Sequence, residues 1–179
     1  MYRFKEHYNN ILIYDLIYKF NLTNVFEIPS IQKIEINIGF DVNSSIKKIS
    51  PLFLLVNLIT KQSAVSTISK KNKVIVKIKK GSFTGCKTTL RGDKLFLFLE
   101  YLFTLYLPLN KDFKGFKIKD TRNATLTIKL KNIFNFIELR NELIRFKNIK
   151  GMDVTIFTKT QNLTQKKAIL NSFKENLFI

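Results

Sequence analysis

The 179-residue sequence contains no tryptophan, one cysteine (Cys86), one histidine (His7), three prolines and six glycines. A single cysteine excludes a disulfide within the chain, and together with a single histidine it excludes a Cys/His zinc site. A fold that does not rely on disulfides fits a reducing compartment. Acidic side chains are also few. Asp plus Glu number 13 against 31 Lys plus Arg, a formal net charge of +18. One domain tolerates that self-repulsion poorly unless a polyanion neutralises it, so nucleic acid or an anionic membrane is the expected partner. No apolar run reaches the roughly 18 residues that span a bilayer. The longest, Leu95 to Leu107, is interrupted by Glu100 and stops at Pro108; that length suits a buried helix. The positive charge is spread along the chain rather than stacked on one amphipathic helix, as membrane-surface binding prefers. No membrane partner is expected.

Catalytic signatures are missing as well. There is no G-x-x-x-x-G-K phosphate loop and no G-x-S-x-G elbow. His7 lies on a predicted helix beside Glu6 and reads as a surface histidine. Cys86 shares an alternating face with Thr88 and Leu90 and reads as a small core residue. Asp112 and Asp120 sit in a polar, basic loop that would not raise a carboxyl pKa. No enzyme activity, catalytic residue, metal site or cofactor is expected. Met1-Tyr2-Arg3-Phe4-Lys5-Glu6 has neither the apolar core of a signal peptide nor the acid-free character of a transit peptide. The protein is therefore expected to work where it is made. Lys, Ile, Asn and Phe dominate, all encodable by A and T alone, and only five arginines occur (Arg3, Arg91, Arg122, Arg140, Arg145). An AT-rich genome fits, with a mitochondrial ribosome as first expectation and a plastid or bacterial cytoplasm as alternatives.

What is present is a globular pattern: 45% hydrophobic residues, and a length that fits one domain, 1–179. Phe4, Tyr8, Ile11, Leu12 and Phe20 lie near helical spacing. After Pro29, Ile34, Ile36 and Ile38 alternate with Lys33, Glu35 and Asn37, which predicts a strand with one apolar face. Ser45 is a candidate cap for a helix to about Lys61, with Pro51 in its first turns. Val74, Val76 and Ile78 alternate with lysines, the turn Gly81–Gly85 follows with Phe83 at its tip, and Cys86–Arg91 pairs back, a predicted hairpin. Gly92-Asp93 opens an apolar helix ending at Pro108, and Asn110–Asp120 reads as a basic loop. Leu126, Ile128 and Leu130 mark a further strand. Phe136, Leu139, Leu143 and Phe146 suit a helix, Met152, Val154 and Ile156 a last strand, and Asn162 caps a closing helix with Ile169 and Phe173 inward.

The expected fold class is α+β: an antiparallel sheet with helices packed on one face. The other face would carry Lys33, Asn37, Lys77, Lys87, Thr89 and Arg91. RNA can lie on such a face, lysine and arginine on phosphates, asparagine and threonine on sugars or base edges; a solvated sheet face gives the same pattern. The basic loop with Lys70, Lys71, Lys73, Lys79 and Lys80 can likewise follow a phosphate backbone, with Phe83 stacking on a base, or be an edge hairpin guarded by lysines against aggregation.

Six stretches, in order, resemble the large-subunit ribosomal protein five family. They are Ile28-Pro29 with Lys33-Ile34-Glu35-Ile36-Asn37-Ile38-Gly39; Thr60-Lys61-Gln62-Ser63-Ala64; Thr67 to Asn72 with Lys77 to Gly81; Gly85-Cys86-Lys87-Thr88-Thr89-Leu90-Arg91-Gly92; Lys111-Asp112-Phe113-Lys114-Gly115; and Lys150-Gly151-Met152-Asp153-Val154-Thr155-Ile156. The region 121–139 departs from the family pattern, lacking its glycines, tyrosine and proline. The resemblance implies a sheet of RNA-recognition-like topology and a structural constituent of the large subunit in the central protuberance. It implies binding to rRNA (5S rRNA where present, and large-subunit rRNA) through Lys33, Asn37, Gly39, Gln62, Lys87, Thr89 and Arg91. It further implies contact of Lys70, Lys71, Lys73, Lys79, Lys80 and Phe83 with P-site tRNA, and of Lys111, Asp112, Phe113 and Lys114 with a protein of the small-subunit head. Neighbouring large-subunit proteins complete the expected partners. A non-ribosomal organellar RNA-binding protein or RNA-processing factor is the alternative.

Overall fold

Apolar side chains at every second position force a strand to bury one face and leave the other outside. That alternation recurs along β1 (Ser30–Gly39), β3 (Phe83–Leu90), β4 (Thr125–Leu130) and β5 (Met152–Lys159). Ile34, Ile36 and Ile38, then Cys86, Thr88 and Leu90, then Leu126, Ile128 and Leu130, then Met152, Val154 and Ile156 are all buried. With the short β2 (Val65–Ile68) these strands form one antiparallel sheet in the order β2-β3-β1-β5-β4. With its helices, the fold is α+β. The computed structural model describes residues 3–39, 49–72, 74, 78–110, 125–146, 149, 151–160 and 162–173.

The chain divides into two compact units. The first comprises Met1–Ile34, Leu90–Ile128 and Thr155–Ile179. Its N-terminal helix runs through α1 (Arg3–His7), a π turn (Tyr8–Leu12) and α2 (Ile13–Phe20), and stops where Asn21 adopts a left-handed conformation, φ 49°. A second long helix joins α4 (Asp93–Tyr101), a π turn (Leu102–Tyr106) and α5 (Leu107–Leu109). The π turn precedes Pro108, whose ring would otherwise press on the carbonyl one turn back. Phe4, Tyr8, Phe96, Phe103 and Phe173 form an aromatic cluster, with ring centroids 5.4–6.4 Å apart. Each such side chain contributes roughly 1.5–3 kcal/mol by leaving water. Arg3 pairs with Glu100 at 2.7 Å and Lys5 with Asp93 at 2.6 Å; being largely exposed, these pairs orient more than they stabilise. The closing helix α7 (Leu163–Asn171) starts at Asn162, whose backbone N–H donates to the Gln165 side chain, and it buries Ile169.

The second unit comprises Glu35–Thr89 and Lys129–Val154. Helix α3 (Ile49–Thr60) buries Leu52, Leu55, Val56 and Ile59, the i, i+3, i+4, i+7 spacing of one helical stripe. That stripe packs on a 3-10 turn (Ile137–Glu142) and on α6 (Leu143–Phe146).

Three expectations are corrected. The strand pairing with β3 is Val65–Ile68, not Val74–Ile78. Val74 is exposed, Ile78 forms an isolated bridge, and residues 73 and 75–77, with the expected face residue Lys77, lie outside the described residues. β2 sits at a sheet edge with three of its four residues exposed, so it lacks the periodic apolar signal that sequence reading depends on. Phe83 is not at a loop tip. It opens β3 opposite Ile68, its ring 6.0 Å from that of Phe53. Phe136, Leu139 and Phe146 are buried as expected, but on two 3-10 turns and a single α-turn rather than one helix. Ser45 lies outside the described residues.

Candidate nucleic-acid interface

In the second unit, burying Ile36, Ile38, Cys86 and Thr88 turns the intervening side chains outward. Asn37, Gly39 and Lys87 are exposed, and Thr89 is half-buried. Gln62 leaves the turn after α3 and donates its side-chain N–H to the Thr89 carbonyl at 3.1 Å. The structure thus brings Asn37, Lys87, Thr89 and Gln62 onto the strand face away from the core. Gly85 permits the approach of β1. A Cβ there would collide with the Ile38 carbonyl oxygen, so only hydrogen fits.

In the first unit, Lys33 holds its ammonium 4.3 Å above the Phe157 ring, an arrangement that stabilises a cation without removing its charge. Arg91 follows β3 directly and is exposed. Thr127 and Thr155 hydroxyls meet at 3.3 Å on the same side of the sheet.

The basic loop is closed at its base by backbone bonds. Ser69 N–H donates to Ser82 carbonyl, and Gly81 N–H to Ser69 carbonyl, each at 2.9 Å. Farther out, Lys80 N–H donates to the Asn72 side chain at 2.6 Å. Gly81 has φ +84°, a conformation that a side chain would strain. Lys70, Lys71, Lys79 and Lys80 are all exposed, a row of cations on a braced stem. Lys73 lies outside the described residues, as do Lys111, Asp112, Phe113 and Lys114.

No helix among the described residues is long and apolar enough to cross a membrane. Nor do these residues hold any cluster of three or more His, Cys, Asp or Glu fit for a metal. Burial pushes the Cys86 thiol from its ordinary 9.0 up to about 11, which keeps it protonated and unreactive at neutral pH.

Sequence reading missed a cleft of ≈ 210 Å³ in the second unit. Asn37, Lys129, Lys131 and Asp153 supply its polar groups, with Leu130 and Met152 beneath. The alternation along β4 marked Lys129 and Lys131 as outward, but nothing in the sequence reports that β4, β5 and β1 are neighbours.

Residues 83–176 match the C-terminal region of the ribosomal protein uL5 family. The chain is 37% identical over 177 residues to the large ribosomal subunit protein uL5 of Wolbachia sp. subsp. Brugia malayi, covering 98% of this chain and 99% of that one. The chain belongs to the ribosomal protein uL5 family. It is 36% identical to uL5m of Reclinomonas americana, with 97% of both chains covered, and 34% identical to uL5 of Francisella philomiragia, again with 97% of both covered. Proteins of this family are structural and not enzymes, in keeping with a surface of outward lysines, amides and hydroxyls.

Proposed function

We propose that this chain is a structural constituent of the large ribosomal subunit that binds rRNA and carries a tRNA-facing loop. The full-length likeness to large-subunit proteins carries this reading. Asn37, Gly39, Gln62, Lys87 and Thr89 in one unit, and Lys33 and Arg91 in the other, are the proposed rRNA contacts. Lysine and arginine would replace counterions on phosphates, while the amides and the threonine reach sugars and base edges. Arg91 stands in a chain with five arginines, and its planar fork suits a phosphate or a base edge better than an ammonium does.

Within the subunit, the proposed position is the central protuberance, on 5S rRNA where present and on large-subunit rRNA. The loop closed by Ser69 and Ser82 is proposed to reach P-site tRNA with Lys70, Lys71, Lys73, Lys79 and Lys80; Phe83, at its base, supports the stem. Lys111, Asp112, Phe113 and Lys114 are the proposed contact with the small-subunit head. The AT-encodable composition and the likeness to uL5m support a mitochondrial ribosome.

Sucrose-gradient sedimentation of a lysate tests the reading. The chain should run with large subunits at one copy each. A chain that stays at the top, or joins particles in substoichiometric amounts, overturns it. Binding of the purified chain to rRNA should also weaken with salt. With six to ten phosphates neutralised, affinity falls roughly 10³- to 10⁵-fold between about 50 and 200 mM.

A further inference from the structure

The cleft beneath Asn37 and Asp153 holds polar groups that the protein itself does not use. Asn37, Lys129, Lys131 and Asp153 line it, and none of the four makes a side-chain hydrogen bond or ion pair with any described residue. Asp153 is half-buried, yet neither neighbouring lysine closes on it. The floor is apolar, from Leu130 and Met152, each only 3% exposed. Gly39 opens one side, and a Cβ there would meet no protein atom within 4 Å. The protein's own packing therefore does not demand a glycine at this place in a strand, whereas a closely approaching ligand would.

Size and chemistry narrow the occupant. At ≈ 210 Å³ the cleft falls below the roughly 300–1,000 Å³ of sites for larger organic ligands, and suits one planar ring system. An apolar floor with polar groups at its margin is how a base splayed from single-stranded RNA is held. A carboxylate only accepts hydrogen bonds. Guanine is the base whose Watson–Crick edge offers two adjacent donors, N1–H and N2–H, to accept in parallel. Adenine and cytosine each set a ring nitrogen acceptor beside their amino group, and uracil flanks its single N–H with two carbonyls. The remaining guanine acceptor, O6, can take a hydrogen from the Asn37 amide. Lys129 and Lys131 then face the phosphates on either side.

We propose that this cleft is a pocket for one unpaired guanine base of an RNA strand, with Asp153 reading the base and Lys129 and Lys131 holding its flanking phosphates. This rests on the rRNA-binding reading above and names a nucleotide that it recognises.

The test uses the full chain and the trinucleotides UGU, UAU, UCU and UUU, followed by NMR at the Met152 methyl and the Asn37 side-chain amide. UGU should reach half-saturation at about five-fold lower concentration than the others, the low end of what one bidentate base contact discriminates. Asp153→Asn should erase that preference, while Lys129→Ala with Lys131→Ala should weaken all four trinucleotides alike. Equal response to the four, or no response at these two probes, overturns the guanine pocket. rRNA binding by the same chain is measured in parallel. If it persists with steep salt dependence while the preference is absent, only the pocket fails; if it is absent too, the rRNA reading fails with it.

Discussion

The side-chain amide of Gln62 reaches across to the backbone carbonyl of Thr89, 3.1 Å away. It thereby ties the turn after α3 to the strand that presents Lys87 and Thr89. Thr60 steadies the same turn, its hydroxyl 2.7 Å from the Val56 carbonyl and 3.1 Å from that of Gln62.

Gln62→Ala removes a part-buried hydrogen bond and should lower unfolding free energy by about 0.5–1.5 kcal/mol, read as a shift in the urea midpoint. Gln62→Glu should cost more, because an acceptor-only carboxylate would then face a carbonyl. An unchanged midpoint in both variants would mean that the tie bears no strain.

Lys166 gives a pH signature. It is buried, and its ammonium donates to the Thr125 carbonyl at 2.5 Å. Desolvation lowers its pKa below the ordinary 10.5, so in the window between the lowered value and 10.5 the unfolded chain binds more protons. Stability from this group therefore rises with pH across that window. Urea midpoints of the parent and Lys166→Met at pH 7 and pH 9.5 should separate further in the parent's favour at the higher pH. A gap that is constant with pH would show an unperturbed lysine.

Replacing Lys70, Lys71 and Lys73 together with alanine should weaken P-site tRNA occupancy while leaving subunit assembly largely intact. The stem bonds at Ser69, Ser82 and Asn72 do not involve these side chains. Toeprinting and gradient profiles from the same cells decide. A triple variant missing from large subunits would make the loop an rRNA anchor instead.

Gly85→Ala should destabilise by about 3 kcal/mol or more, since the added methyl meets backbone, which cannot rotate away. Cys86→Ala, one position along, should cost less, because it removes atoms rather than adding them. A mild Gly85→Ala phenotype in urea denaturation would show that β1 and β3 can part without penalty.

Strands whose apolar residues alternate strictly were legible from sequence, as Ile34, Ile36 and Ile38 show, because burial of one face writes itself into every second residue. β2 was not, because an edge strand buries too little to leave that mark; the Val74, Val76, Ile78 alternation imitated it. Outward placement of Asn37, Lys87 and Arg91 followed from period two alone. The tie between Gln62 and Thr89, and the cleft joining Asn37 to Asp153, depend on which strands are neighbours. That is a property of strand order and is invisible to any local pattern.

The missing side chain at Gly85 works as a keyway between two strands that chain connectivity leaves far apart. Slipping β3 by one residue would present Thr84 or Cys86 to the Ile38 carbonyl and rotate Lys87 inward, so both sterics and charge reject the wrong setting. Only one alignment lets the sheet close. Asn37 on β1 and the Lys87–Thr89 pair on β3 are therefore spaced before any polyanion arrives, and the entropy of arranging them is not charged to binding.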